Sequence, residues 1–177
     1  MSHDFRDQEI SALVVDPAPY IRALIREFLK VAGLSPVLES PDTSDALQKL
    51  HARPVDMVFC ELATEPLDGL EFTRMLRQAD DSPNPYIPVI MVTGHTEMAN
   101  VTAARNAGVT EFLGKPFTPK GLYSRVKAVI WRPRPFVRTK TFFGPDRRRR
   151  WEQDYQGEER RRMTPAEADP AMWSDAV

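Results

Sequence analysis

The stretch Asp56-Met57-Val58-Phe59-Cys60-Glu61-Leu62-Ala63-Thr64-Glu65-Pro66-Leu67-Asp68-Gly69 decides the fold of this chain. Four apolar residues run directly into one carboxylate, Glu61, and a loop with a proline then ends where an amphipathic segment begins. A short apolar run bounded by turn signals is typical of a strand that is buried on both faces of a parallel sheet. Open α/β sheets bind ligands at the carboxyl ends of their strands, so Glu61 is the residue to explain.

The same alternation of strand and helix continues on both sides of this stretch. Apolar runs at 10–15, 37–38, 88–93 and 111–114 predict four further strands, and helical spacing predicts helices at 18–32, 43–51, 69–78, 97–107 and 119–131. We expect Thr43 or Ser44 to cap the second helix. Five strand and helix units in series predict an α/β fold with a doubly wound, five-stranded parallel sheet and helices on both faces.

Length and composition limit the class of protein. The 177 residues allow one domain and an extension, and an apolar share of 42% is enough for a buried core. Cys60 is the only cysteine, which excludes a disulfide within the chain and a cysteine-rich metal site. There is no apolar run of about 18 residues and no signal-peptide pattern, so we expect a cytoplasmic protein without a membrane span.

The charge is divided unevenly along the chain. Residues 1–131 hold 13 Lys and Arg against 17 Asp and Glu, whereas residues 132–177 hold 11 against 8. The helical periodicity stops at Trp131, and prolines spaced by arginine favour an extended chain. We therefore expect a globular domain at 9–131 and a largely non-globular, Arg-rich arm at 132–177.

Four predicted strands end in polar side chains that can share one crevice, namely Asp16, Glu61, Thr93 and Lys115. This series of an acid, a hydroxyl and a lysine at successive strand ends resembles the receiver domain of bacterial response regulators, the CheY-like family. The resemblance extends to three short motifs, namely Asp68-Gly69, Ala107-Gly108 and Lys115-Pro116-Phe117. The resemblance covers about residues 11–131. It implies a flavodoxin-like or CheY-like (βα)5 fold and a two-component signalling protein that is not an enzyme.

The resemblance also implies a phosphorylation site, from which this sequence departs twice. In the family, an aspartate at the third strand end takes a phosphoryl group from a histidine kinase, and an acid pair after the first strand holds Mg²⁺. Here Pro17 stands in place of the second acid and Glu61 in place of the phosphoacceptor. Only Asp16 and Glu61 then supply side-chain oxygens to Mg²⁺, a hard cation that prefers several such ligands, and phosphoryl transfer depends on placement at the ångström scale. We expect weak or absent Mg²⁺ binding, weak or absent phosphotransfer and no required cofactor.

Glu61 can have a different role. Its longer side chain reaches toward the place of an aspartyl phosphate, where it can pair with Lys115 and accept a bond from Thr93. The hypothesis is a degenerate pseudo-receiver held near its active conformation, with Thr93 and Phe112 at the positions of the family's switch residues. In the alternatives, Glu61 and Lys115 form a purely structural ion pair and Phe112 is ordinary core.

The arm carries arginines next to aromatic residues, and several roles are open for it. Its run from Arg138 through Arg147, Arg148, Arg149 and Arg150 resembles an Arg-rich extension with which some CheY-like regulators bind cyclic di-GMP and act on the flagellar motor. Arginine forks beside aromatic rings suit a guanine nucleotide better than a duplex, so we do not expect nucleic acid as the ligand. A solvated arm without a ligand is the simplest alternative, and an arm that embraces a second subunit in a homodimer is another.

These observations lead to one functional prediction and two alternatives. We expect a single receiver that acts by binding a protein partner, in the signalling or motility machinery, through its fourth and fifth helix region and its arm. Cyclic di-GMP is the candidate ligand. The alternatives are a phosphorelay receiver that still accepts phosphate and a nucleic-acid-binding regulator whose affinity would fall steeply with salt.

Overall fold

The computed structural model describes residues 9–147 and the backbone of the two-residue strand Thr164–Pro165. Five parallel strands form the central sheet: β1 Ala12–Val15, β2 Val37–Ser40, β3 Met57–Cys60, β4 Val89–Thr93 and β5 Glu111–Gly114. The helices between and after them are α1 Pro19–Val31, α2 Thr43–Ala52, α3 Gly69–Gln78, α4 Met98–Ala107 and α5 Pro119–Trp131. The strand order is β2-β1-β3-β4-β5. The predicted five-stranded, doubly wound α/β fold is confirmed.

The sheet has an apolar core on each face because alternate side chains of every strand point to opposite sides. One core lies under α1 and α5 and contains Ile25, Leu29, Phe59 and Val126. The other lies under α2, α3 and α4 and includes Leu50, Phe72 and Cys60. Strands buried on both faces explain the continuous apolar runs from which they were predicted.

The helix ends follow local hydrogen-bonding chemistry, with one correction to the sequence prediction. Asp42, not Thr43 or Ser44, caps α2, because its carboxylate accepts a bond of 2.8 Å from the backbone N–H of Asp45. Gly108 ends α4 as predicted, with a φ of 96° that favours glycine. No helix within the described residues is long and apolar enough to cross a membrane.

A short stretch is folded within the arm, which we predicted to be largely non-globular. Strands β6 Phe136–Arg138 and β7 Phe143–Pro145 pair antiparallel, and β8 Thr164–Pro165 pairs with the other edge of β6. We call residues 136–145 the arm hairpin. It is folded because Phe136 and Phe143 pack against Tyr86, which lies in the loop before β4. A contact at this sequence separation leaves no periodic pattern in the sequence.

Candidate functional site

The carboxyl ends of four strands bring the predicted polar side chains to one edge of the sheet. Asp16 follows β1, Glu61 follows β3, Thr93 ends β4 and Lys115 follows β5. Backbone bonds continue the sheet to these positions: the N–H of Glu61 donates to the carbonyl of Val15 over 2.9 Å, and that of Lys115 donates to the carbonyl of Thr93 over 2.7 Å. The parallel register therefore aligns the four residues side by side.

Lys115 bridges two carboxylates at the centre of this edge. Its Nζ lies 2.6 Å from Oδ2 of Asp16 and 2.6 Å from Oε2 of Glu61. The side chains of Asp16 and Glu61 are only 3% and 10% exposed, and that of Lys115 is 20% exposed. We call these three residues the ion triad. Such short, charge-assisted bonds at a shielded edge hold each member in one place.

The second oxygen of Glu61 is engaged as well. Its Oε1 accepts bonds from the backbone N–H groups of Leu62, over 2.6 Å, and Ala63, over 3.2 Å. The glutamate side chain thus folds back over the first residues of its own loop while its other oxygen contacts Lys115. Both oxygens have partners that stabilise the ionised form.

The charges of the triad support one another against the cost of burial. Burial by itself raises the pKa of Glu61, but hydrogen bonds from Lys115 and Thr93 outweigh it, and the pKa of Glu61 lies below its usual value. Burial by itself lowers the pKa of Lys115, but its bonds to Asp16 and Glu61 raise that pKa above its usual value. Glu61 and Lys115 are therefore both charged at neutral pH.

Thr93 and Phe112, the predicted switch residues, occupy different environments. Thr93 is fully buried, and its hydroxyl oxygen accepts a bond of 3.2 Å from the N–H of His95. Phe112 is half-buried and packs against the core under α2, α3 and α4. The switch role of each residue stays a prediction.

The start of α3 lies very close to the end of β3, a contact that the sequence does not reveal. Asp68 caps α3 in a capping box with Glu71, which agrees with the helix start predicted at Asp68-Gly69. A Cβ at Gly69 would lie only 2.4 Å from the carbonyl oxygen of Glu61. Gly69 is therefore required for space, since its absent side chain lets α3 begin directly against the end of β3.

The residues of this edge do not fit the Mg²⁺ site that the family resemblance implies. The side chain of Pro17 offers no ligand atom, and the ammonium of Lys115 lies within bonding distance of both remaining carboxylates. A divalent cation between Asp16 and Glu61 would have to displace that ammonium and would gain few oxygen ligands. Within residues 9–147, no three His, Cys, Asp or Glu side chains come together as a metal-binding group.

The arginines of the predicted nucleotide site are described only in part. The guanidinium carbon of Arg138 lies 4.1 Å from the ring centre of Phe143, and that of Arg147 lies 4.2 Å from the ring centre of Phe142. Both arginines are exposed, so their charges stay accessible to solvent. Arg148, Arg149 and Arg150 lie outside the described residues.

Comparison with protein families and curated proteins gives one consistent answer. A family model described as a response regulator receiver domain matches residues 12–127. Chemotaxis protein CheY1 of Helicobacter pylori is 34% identical over 119 residues, which cover 67% of this chain and 94% of that protein. The phosphate regulon transcriptional regulatory protein PhoB of Pseudomonas aeruginosa is 32% identical over 123 residues, or 70% of this chain and 52% of that protein. This chain thus spans about half the length of that regulator.

Solved structures agree with the fold. Chemotaxis protein CheY4 of Vibrio cholerae superposes with a TM-score of 0.63 at 26% sequence identity, covering 69% of this chain and 99% of that one. The residues that the family model matches, 12–127, do not include the arm hairpin. The resemblance inferred from the strand ends is thereby confirmed for the fold.

Proposed function

Because this chain belongs to the response regulator receiver domain family, we propose that it is a signalling receiver whose state is set by its own ion triad instead of by phosphorylation. One observation carries the proposal: Oε2 of Glu61, at the phosphoacceptor position, lies 2.6 Å from Nζ of Lys115. A glutamate is one methylene, or about 1.5 Å, longer than an aspartate. Its carboxylate can therefore supply, without modification, negative charge where an aspartyl phosphate would carry it.

The contacts of Glu61 also argue against ordinary phosphotransfer. An attacking oxygen has to approach phosphorus in line, and both oxygens of Glu61 are held by Lys115 and by the loop backbone. Transfer is also assisted by a metal cation that neutralises the developing charge, and here the ammonium of Lys115 already occupies both carboxylates of this edge. The proposed receiver is accordingly a protein-binding signalling module and not an enzyme.

A mass measurement tests this proposal. We would incubate the full chain with acetyl phosphate and Mg²⁺ and record its intact mass. We expect no phosphoryl adduct on the wild type. The matched variant with Pro17→Asp and Glu61→Asp restores both family acids, and we expect it to gain an adduct. A base-labile adduct on wild-type Glu61 or Asp16 would instead establish the alternative, a phosphorelay receiver.

The surface of α4, β5 and α5 is the proposed site for a protein partner. Receiver domains act on protein partners, and Met98 at the start of α4 presents a large apolar side chain that is 77% exposed. Met98→Asp should abolish co-purification of a partner that the wild type retains. Tyr20→Asp is the matched control, since Tyr20 lies on α1 and is 72% exposed. Equal loss in both variants would count against this surface.

The arm is proposed to bind a guanine nucleotide, with cyclic di-GMP as the candidate. The supporting observation is that Arg138 and Arg147 are exposed while each lies over a phenylalanine ring, so that each guanidinium offers its charge and the open face of its own plane to a base. Calorimetry should show binding by the wild type and loss of binding in Arg138→Ala with Arg147→Ala, but not in Lys120→Ala. Binding of duplex DNA that is steeply salt-dependent and indifferent to the nucleotide would favour the nucleic-acid alternative.

A further inference from the structure

The arm hairpin is joined to the receiver by an aromatic cluster. The ring centre of Tyr86 lies 5.2 Å from that of Phe136 and 5.0 Å from that of Phe143, and the two phenylalanine rings are 5.5 Å apart. Phe143 is only 3% exposed, so it is as buried as a core residue. The hairpin is therefore packed against the receiver, and its removal would uncover Tyr86.

The same contact covers a buried cation on α3. Arg77 is 2% exposed, and burial lowers its pKa to about 9. Its Nε donates to the carbonyl of Gly108 over 3.1 Å, and a terminal nitrogen donates to the carbonyl of Pro85 over 2.9 Å. Its guanidinium carbon lies 5.1 Å from the ring centre of Phe136. Arg77 thus links α3 and the end of α4 to the arm, and the ring of Phe136 supplies part of the stabilisation that a buried cation needs.

Two further contacts join the arm to the segment that leads into β5. A Cβ at Gly144 would lie 2.9 Å from the Cα of Gly108, so the backbones of β7 and the end of α4 touch directly. The guanidinium of Arg134 lies 3.8 Å from Glu111, the first residue of β5, which is 8% exposed. The arm therefore contacts both the end of α4 and the beginning of β5.

β5 connects these arm contacts to the ion triad. The strand has four residues, Glu111–Gly114, and Lys115 follows it immediately. Its register with β4 runs from Glu111 opposite Ile90 to Gly114 opposite Thr93. The four residues of this strand are thus the whole path from the arm contact at Glu111 to Lys115, a contiguous packed element of the kind through which two sites can be coupled.

We propose that the arm hairpin is a latch that holds α4 and β5 in one conformation and is energetically coupled, through β5, to the ion triad. The surface formed by α4 and β5 would then respond to the docking of the arm as well as to the triad. The latch does not depend on whether Glu61 accepts phosphate, so its test is separate from the test of the proposed function.

Amide hydrogen exchange on the full chain tests whether undocking the arm hairpin affects α4, β5 and the ion triad. Gly144→Val introduces a side chain where the backbones of β7 and α4 touch, and Thr141→Val changes an exposed residue of the hairpin turn as a control. We expect Gly144→Val to accelerate exchange in α4 and β5 and at Lys115 about fivefold or more relative to β1. Acceleration confined to residues 132–147, or equal in all five strands, would overturn the proposal.

A second experiment tests the reverse effect, that of the ion triad on the arm hairpin. If the triad and the arm are coupled, weakening the triad must also loosen the arm, because the coupling free energy acts in both directions. Glu61→Gln keeps the size of the side chain and removes its charge, so the fold is expected to survive. The reporters are the amides of Thr139 and Asp146, which donate to the carbonyls of Phe142 and Pro135 over 2.8 Å each. Unchanged exchange at both, relative to β1, would refute the coupling.

Discussion

Replacing Lys115 with methionine keeps most of the side-chain volume but removes the ammonium from the ion triad. Nζ lies 2.6 Å from an oxygen of Asp16 and 2.6 Å from one of Glu61, so those two oxygens are at most about 5 Å apart. At that distance and an effective dielectric constant of about 20, two carboxylates repel each other by about 3 kcal/mol. Loss of one partner from a buried pair typically costs about 3 to 5 kcal/mol. We expect the free energy of unfolding to fall by that amount at pH 7.

The pH dependence identifies the cause of this loss. In the wild type, the lowered pKa of Glu61 contributes stability that is present above its ordinary value of 4.5 and is lost as the pH falls through the folded pKa. In Lys115→Met, one carboxylate of the pair takes up a proton in the folded state, because two adjacent buried charges are unfavourable. The folded variant then binds more protons than the unfolded chain, so its deficit should shrink by about 1.4 kcal/mol for each pH unit below neutral.

Urea unfolding at several pH values between 5 and 7.5 measures both the loss of stability in Lys115→Met and its dependence on pH. Lys120→Met is the matched control, since Lys120 is exposed on α5 and should change stability by less than about 0.5 kcal/mol. A deficit of Lys115→Met below about 1 kcal/mol, or one that is the same at pH 5 and pH 7, would refute the reasoning. The triad would then contribute little, as exposed ion pairs do.

The other predictions concern the close backbone contact at Gly69, the docking of the arm hairpin and the extent of the folded unit. Gly69→Ala should lower the free energy of unfolding in urea by about 1 to 3 kcal/mol, because its Cβ would lie 2.4 Å from a backbone oxygen. Gly121→Ala in α5 meets no atom closer than 3.4 Å and should leave stability unchanged or raise it, since alanine favours a helix; equal losses in both variants would contradict this explanation. Phe143→Ala should lower the free energy of unfolding by about 3 kcal/mol and Tm by on the order of 10 °C, and a change of about 1 °C would show that the arm hairpin is not docked in solution. A chain that ends at Arg147 should melt close to the full chain and one that ends at Trp131 well below it; similar melting of both would place the boundary of the folded unit at the end of α5.

The candidate site was predictable from sequence as a set of residues but not as an arrangement. Asp16, Glu61, Thr93 and Lys115 were found because each follows or ends an apolar run, and parallel strands bring their carboxyl ends to one edge. The pair of Glu61 and Lys115 was expected, but the contact of the same ammonium with Asp16, which lies 99 residues from Lys115, was not. The requirement for glycine at position 69 likewise depends on where α3 begins in space.

The sequence by itself determined the five strand and helix units and the residue type at each strand end. These features are local, because apolar periodicity and the stops at proline and glycine act over a few neighbouring residues. Only the tertiary structure decided that Lys115 bridges the triad and that the arm hairpin packs on Tyr86, Arg77 and Gly108. These contacts join segments that are far apart in the chain, and whether they form depends on packing geometry and not on any short pattern of residues.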